Sequence, residues 1–295
     1  MNSLWHKSFT NDDIQALSVP MKIGILGTVS DEGLPHLTML STLQACTPEK
    51  LTFGQFTEGL SKGYVVDNPS IGFLVMTLDK LVWRGKADWS HKEKDGPEFD
   101  MYNDIPMFRY NAYFGVHTVH YLSLVEQSGR ERLPMGRVVW ASIQTLLAKS
   151  LQKKSSAEVV LNSWTRALFS KLDNLKFAGY IDDDGYPVIL PVIQAQPLDA
   201  EHIVFSFGAF GDGLRKIPNG APLAIFGLTL DMEDVLLRGE YLGVSKTAGI
   251  SYGSVKVNWV YNSMPPVPGQ IFPPVPLETV TEFLSPVDMC KPKER

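Results

Sequence analysis

The sequence predicts a mainly β protein with some helix, in which two antiparallel β-barrels follow one another along the chain. Three observations lead to this prediction. The apolar segments are short, rich in β-branched and aromatic residues, and separated by Gly, Pro and Asp, as in antiparallel meanders. The same order of segments occurs twice, about 152 residues apart. The 295 residues are long enough for two domains.

Each copy begins with a strand, a tight turn and a second strand. In the first copy the turn is DEGLP (31–35), and in the second it is DDGYP (183–187). Glycine within a short polar link between two apolar runs is typical of a β-hairpin. Further pairs of segments follow in the same order in both copies: 51–56 with 203–210, 71–79 with 222–231, 81–89 with 235–243, and 115–125 with 253–262.

The remaining segments predict a connector and an extended arm. Residues 138–151 and 156–172 carry apolar residues at spacings of three and four, which predicts two helices, the second capped by Ser156. After residue 262 the chain is rich in proline. The predicted domains are therefore a first barrel (1–130), a helical connector (131–174), a second, divergent barrel (175–262) and a C-terminal arm (263–295).

Composition excludes several classes of protein. The net charge of −5 argues against a nucleic-acid binder. The two cysteines are too few for a disulfide framework or a cysteine zinc cluster. Because the sequence contains no long apolar run and no signal-peptide core near its first residue, we expect a cytoplasmic protein that binds neither nucleic acid nor membrane.

The loop at residues 53–63 is the strongest candidate for a binding site. It leaves a predicted strand and carries Gly59, Ser61, Lys62 and Gly63 before a short helical segment. Phosphate is bound by backbone N–H groups that can approach closely, by hydroxyls and by a cation. A solvated surface turn is the alternative interpretation of the same residues.

Two other chemistries are weaker. Residues 59–63 also match G-x-S-x-G, so Ser61 could be a hydrolase nucleophile, but that motif needs a preceding parallel strand and a later histidine. His117 and His120 are three residues apart on a strand and are expected to point to opposite faces, so no metal site is predicted. Arg84 and Arg238 take equivalent places in the two copies and could each contact an anion or lie at the barrel rim.

The order of the motifs resembles the FMN-binding split barrels of the pyridoxamine 5′-phosphate oxidase superfamily. The residues that carry the resemblance are GLPHL (33–37), GLSK (59–62), RGKADW (84–89) and DGPEF (95–99). The resemblance covers residues 20–127 well and 175–262 more loosely. Within this superfamily, the first copy is most similar to small bacterial FMN-binding proteins and flavin reductases. The resemblance implies two tandem antiparallel split β-barrels that form an intramolecular pseudo-dimer, with FMN at the interface between them.

By this resemblance Ser61 and Lys62 would hold the FMN phosphate. The ribityl chain and the ring would be lined by two short stretches that include Thr38, Ser41, Thr42, Gln55 and Thr57. In the second copy, two prolines and a glycine after Lys216 leave no room for the helix that follows Lys62, although Lys216 keeps a positive charge. We therefore expect the first site to be the better one.

The predicted function is a flavoprotein oxidoreductase that passes hydride or electrons through FMN, with a small-molecule partner such as NAD(P)H. No side chain is required as a general base. The alternatives are a flavin-binding electron carrier without a substrate, and a serine hydrolase; a deazaflavin or haem in place of FMN also remains open. The chain is expected to be a monomeric pseudo-dimer or a homodimer.

Overall fold

The computed structural model describes residues 5–56, 59–105, 115–152, 159–262 and 269–275. The helices within these residues are α1 (Asn11–Leu17), α2 (Leu60–Asp67), α3 (Pro97–Asp104), α4 (Met135–Ser150), α5 (Ser163–Ser170) and α6 (Gly211–Leu214). The strands of the first half are β1 (Lys22–Val29), β2 (Pro35–Met39), β3 (Gln44–Thr47), β4 (Lys50–Gln55), β5 (Ser70–Thr77), β6 (Leu81–Glu93), β7 (Thr118–Gln127) and β8 (Glu131–Arg132). Those of the second half are β9 (Leu175–Ile181), β10 (Pro187–Pro191), β11 (Gln196–Pro197), β12 (His202–Ser206), β13 (Pro222–Leu228), β14 (Asp234–Thr247), β15 (Ile250–Asn262) and β16 (Gly269–Phe272).

The strands form two antiparallel sheets with the same topology. The first has the order β2-β1-β5-β6-β7-β4-β3, and the second has the order β10-β9-β13-β14-β15-β12-β11. Each strand of the first order has its counterpart at the same place in the second. The predicted fold class and internal duplication are confirmed.

Each sheet curls into a barrel because its two outermost strands are close together in the chain. β2 and β3 lie at opposite ends of the first order, yet only residues 40–43 join them. Four residues span at most about 14 Å, so the two ends of the sheet must approach each other. Residues 192–195 join β10 and β11 in the same way.

The hairpin that opens each copy depends on a glycine in the left-handed region. Gly33 has φ 74° and Gly185 has φ 85°. The turns are closed by bonds from the Ser30 N–H to the Leu34 carbonyl and from the Asp182 N–H to the Tyr186 carbonyl. Both turns fall where the sequence predicts them.

The two copies pack against each other through equivalent surfaces. β2 contacts β9, β13 and β14, while β10 contacts β1, β5 and β6. Gly27 lies under Ile189, and its counterpart Gly179 lies under Leu37, so each copy provides a glycine that leaves room for a side chain of the other. One buried apolar cluster contains residues of both copies, and each barrel has a further cluster of its own. This is the self-complementary contact of a two-fold dimer, made within one chain.

Several elements differ from the sequence-based expectation. The helix predicted over 156–172 is α5 (Ser163–Ser170), and its cap is Asn162, whose side chain accepts from the Thr165 N–H at 2.8 Å. Residues 160 and 161 are instead held by the Ala200 carbonyl; Ser156 lies outside the described residues.

Two short strands outside the predicted barrels pair with the sheets. β8 pairs with β6 although it follows residue 130, and β16 pairs with β15 although it belongs to the predicted arm. The early helix α1 was not predicted; its capping box, in which Thr10 and Asp13 bond each other's backbone N–H, was readable from the sequence. None of the helices in the described ranges has the length and apolar character needed to span a bilayer.

Candidate functional site

The loop singled out in the sequence opens onto a cleft of about 800 Å³, called the Lys62 cleft below. α2 begins directly after this loop and places Lys62 and Gly63 on the wall. The lining residues, all from the first copy, are Gln55, Lys62, Gly63, Val66, Asp67, Lys92, Lys94, His117, Thr118 and His120.

Three neighbouring strands form the rest of the cleft. β7 lies between β4 and β6, with Gln55 opposite Thr118 and Lys92 opposite His120. β6 extends to Glu93, four residues beyond the predicted end of this strand, and this extension carries Lys92 to the cleft. The antiparallel register therefore brings residues from distant parts of the sequence to one end of the sheet.

His120 is a neutral imidazole with a fixed tautomer. Burial, with the nearby charges of Lys92 and Lys62, lowers its pKa from 6.5 to about 4. The Trp89 indole donates to His120 Nδ1 at 3.2 Å, so the imidazole proton is on Nε2, which donates to Gln55 Oε1 at 2.8 Å. The ring also stacks on Phe53 with centroids 4.5 Å apart. The Trp89–His120–Gln55 chain holds the Gln55 amide in one orientation at the cleft.

The charge of the Lys62 cleft favours an anion. Among the described residues, three lysines and one acid, Asp67, line it. Lys62 is the least exposed of the three lysines. A Cβ added to Gly63 would meet no atom within 4 Å, so the backbone there is open to a ligand. A partly desolvated lysine beside open backbone is the chemistry that phosphate groups require.

A second, smaller cleft of about 300 Å³ lies between the two copies. It brings together Arg84 and Lys216, two residues singled out in the sequence, together with Lys86. Its cations face acids: Arg84 pairs with Glu131 at 3.2 Å, and Lys86 contacts Asp182 at 2.5 Å. Glu126 and Asp183 also line it. We call it the inter-copy cleft; its charges are balanced.

The equivalent position on the other side of the pseudo-two-fold axis is filled by side chains. There the Arg238 guanidinium lies 3.7 Å from the centre of the Trp259 ring, and Trp259 stacks on Tyr261 with centroids 5.3 Å apart. The buried His36 ring meets Tyr64 and Tyr261 edge-on. Among the described residues, side chains therefore fill the space beside Arg238, and the open crevice that they form between the copies lies at Lys216.

The difference between the two sides follows from the strand pairing. Val82 pairs with Glu131 in the first copy, and Leu236 pairs with Tyr261 in the second. Glu131 and Tyr261 are thus equivalent, and two residues before them Gly129 of the first copy is equivalent to Trp259 of the second. The first copy thus leaves room beside Arg84, whereas the second fills the same space beside Arg238.

The other predicted site residues are distributed as follows. Thr42 is buried, and its hydroxyl bonds both the N–H and the carbonyl of Gly54, at 3.1 and 3.0 Å. Thr38 is buried and Ser41 is half-buried; neither lines the two clefts. Gly59 precedes α2, and its carbonyl accepts from the Lys62 N–H at 3.1 Å. Thr57 lies outside the described residues.

The geometry around Ser61 does not match a nucleophile elbow. Ser61 is only 2% exposed. The preceding strand, β4, is antiparallel to both of its neighbours, β3 and β7. The elbow of hydrolases needs a parallel strand and an exposed hydroxyl.

His117 and His120 both line the Lys62 cleft. His117 precedes the first residue of β7, so the alternation of strand side chains used in the prediction applies to His120 but not to His117. Across the described part of the chain, no group of three or more His, Cys, Asp or Glu side chains is placed to hold a metal ion.

The sequence reasoning missed Lys92, Lys94 and the role of His120. The signal was the polar run SHKEK (90–94) directly after the predicted strand. Because these residues are all polar, they show no alternation of apolar and polar residues from which the longer strand could be predicted. Two lysines so near each other in the sequence do, however, indicate a positively charged strand end.

Solved structures that the chain resembles include flavin-related proteins. An FMN-binding protein from Syntrophomonas wolfei is 15% identical, with 39% of this chain and 80% of that chain covered and a TM-score of 0.34. A Clostridium acetobutylicum protein of the pyridoxinephosphate oxidase family is 15% identical over 41% of this chain and 84% of its own, with a TM-score of 0.32. An F420 reductase is 17% identical over 41% and 98%, with a TM-score of 0.33. No protein-family model and no curated protein matches the sequence.

Proposed function

We propose that the chain is an FMN-binding flavoprotein oxidoreductase of the pyridoxamine 5′-phosphate oxidase-like superfamily, with the FMN phosphate in the Lys62 cleft. The observation that carries the proposal is the difference in charge between the two clefts. Among the described residues, the Lys62 cleft presents three lysines against one aspartate, whereas Arg84 and Lys86 of the inter-copy cleft are paired with acids. A phosphate dianion should therefore be stabilised more in the first.

The residues of the Lys62 cleft fit a phosphorylated ligand. Lys62, Lys92 and Lys94 would hold the phosphate, and the open backbone at Gly63 allows close approach. The neutral His120 fixes the Gln55 amide, which would hydrogen-bond the polar part of the ligand. Compared with the expectation from the sequence, the proposed site moves from the interface of the copies to a cleft of the first copy alone.

Bound FMN would supply the hydride or electron transfer. The protein binds and orients it. Because His120 stays neutral above its pKa of about 4, the imidazole adds no positive charge to the cleft at neutral pH. The Trp89–His120–Gln55 chain keeps the hydrogen-bonding edge of Gln55 fixed during turnover.

The first test compares FMN with riboflavin, which lacks the phosphate. Titration of the purified chain should give the absorption spectrum of a bound oxidised flavin with FMN. Riboflavin should bind at least about tenfold more weakly, since it loses a charge-assisted contact. Equal affinity for the two ligands, or no binding of either, would refute the proposal.

The second test separates an enzyme from an electron carrier. Under anaerobic conditions NADH or NADPH should bleach the flavin absorbance of the loaded protein at a rate that saturates with nucleotide concentration. A loaded protein that is bleached only by a chemical reductant would be a carrier, and the oxidoreductase part of the proposal would be wrong.

A further inference from the structure

α4 is apolar on two opposite sides. Its inner side is buried against β12, where the Ser206 N–H donates to Thr145 Oγ1 at 2.9 Å and the Ser206 hydroxyl donates to the Ala141 carbonyl at 2.8 Å. Its outer side is also apolar, and it is exposed. A helix that is apolar on two opposite sides is normally covered on both of them. We call the outer side, with the adjacent exposed leucines, the α4 face: Met135, Val139, Trp140, Ile143, Leu146, Leu147, Leu151, Leu78, Leu172 and Leu230.

A groove of about 450 Å³ runs along this face. One wall is α4, and the other is formed by the turns after β5 and β13, with Leu78 and its counterpart Leu230. The groove therefore lies where the two copies meet, beside their pseudo-two-fold axis. A concave apolar groove suits a protein element with protruding side chains better than a flat surface.

The size of the α4 face matches a dimer contact. Its ten residues are between 39% and 77% exposed, or about half on average. At roughly 150–250 Å² for a large side chain, they expose on the order of 1,000 Å² together. The largest apolar patch of a typical monomer is about 300–600 Å², and a stable interface buries about 800 Å² on each partner.

The charges on the two edges of the α4 face are opposite in sign. Along the helix the charged residues are Arg137 and Lys149, and α4 contains no acidic residue. The segments on the other side of the groove carry the exposed Asp79, Asp173 and Asp231, with the exposed Lys80 and Lys171 beside them. A second copy, turned by a two-fold rotation, would place its α4 against these segments, so that contacting elements have net charges of opposite sign.

We propose that the α4 face binds a second copy of this chain, so that the protein is a homodimer of internal pseudo-dimers. α4 of each molecule lies in the groove of the other, and Trp140 and Ile143 lie at the centre of the contact. The proposal does not depend on flavin binding.

The test is the mass of the full chain in solution, measured by light scattering and by sedimentation across a concentration series. We expect twice the chain mass of 32.8 kDa at micromolar concentration. Val139→Glu places a charge in the contact twice and should raise the dimer dissociation constant about 100-fold or more. Val244→Glu is the matched control: Val244 is 53% exposed and Val139 is 56%, but Val244 is on β14 and outside the groove. It should leave the dimer unchanged.

Three results would overturn the proposal. One is a wild-type chain that stays monomeric at micromolar concentration. Another is a dimer that Val139→Glu weakens no more than Val244→Glu does. The third is a monomer that dimerises only after residues 276–295 are removed, because that would show that the chain's own C-terminal residues occupy the groove. Circular dichroism of both variants would establish that they fold.

Discussion

Lys62→Ala should weaken FMN binding much more than Lys216→Ala. Lys62 is half-buried, and among the described residues its cleft has two further lysines and one acid, so the lining carries a net positive charge that favours a phosphate. Lys216 is exposed and lies in a cleft that also contains acids, where Arg84 and Lys86 are paired with Glu131 and Asp182. A hydrogen bond to a charged group contributes about 1.5–3 kcal/mol, which corresponds to about a 10- to 100-fold change in affinity. Removal of an exposed, screened lysine, as in Lys216→Ala, should change the affinity for FMN by about threefold or less.

The assay is quenching of flavin fluorescence during titration with each variant, with FMN and with riboflavin. Lys62→Ala should lose affinity for FMN and leave the affinity for riboflavin within about twofold, since riboflavin carries no phosphate. The thermal midpoint should stay near that of the wild type. Equal losses in the two variants, or an equal loss of FMN and riboflavin in Lys62→Ala, would refute the assignment of the phosphate to the Lys62 cleft.

Three further predictions concern the fold. The pKa of His120 is about 4 in the folded protein and 6.5 in the unfolded chain, so the unfolded chain binds the proton first as the pH falls. The contribution of the neutral imidazole to stability is therefore complete above pH 6.5 and is lost as the pH falls toward 4. The buried His36, whose pKa is lowered to about 3, adds a loss of the same sign, so urea unfolding at pH 7 and pH 5 should show a loss of stability that is about 2 kcal/mol smaller in His120→Gln than in the wild type; identical pH slopes would contradict this. Gly72→Ala directs a Cβ at the Pro187 carbonyl of the other copy and should lower the free energy of unfolding by about 2 kcal/mol or more. The control is Gly63→Ala, which has open space around it and should leave the free energy of unfolding unchanged or raise it in the same assay. Leu37→Ala empties the space over Gly179 and should lower the free energy of unfolding by about 2–5 kcal/mol. The control Leu242→Ala, at an exposed residue, should lower it by less than about 1 kcal/mol, and similar losses in the two variants would mean that the copies are not tightly packed.

The hairpins and the duplication could be predicted from the sequence because their causes are local. Gly33 and Gly185 supply the left-handed turn residue, and the flanking β-branched residues favour strands. The shortening of the second-copy helix was also local: α6 has four residues, and Pro218 follows it closely. In each case the residues that determine the structure are neighbours in the chain.

The cap of α5 and the choice of open crevice depend on contacts between distant residues. Ser156 and Asn162 are both good capping residues by type. The N–H groups of residues 160 and 161 donate to the Ala200 carbonyl, so these residues are outside the helix and the cap is Asn162. Among the described residues, Trp259 and Tyr261 fill the space beside Arg238, whereas Gly129 and Glu131 leave room beside Arg84. This follows only once the register of β14 and β15 is known.

The exchange of glycine and side chain between the copies has a consequence for how the protein behaves when its concentration changes. Assemblies of separate barrels come apart on dilution, whereas here the covalent link keeps the partner surfaces at a high effective concentration at any dilution. Ile189 can always return to its place over Gly27, because the two belong to one molecule. The arrangement of the two barrels is therefore set when a single chain folds, even at very low abundance in the cell.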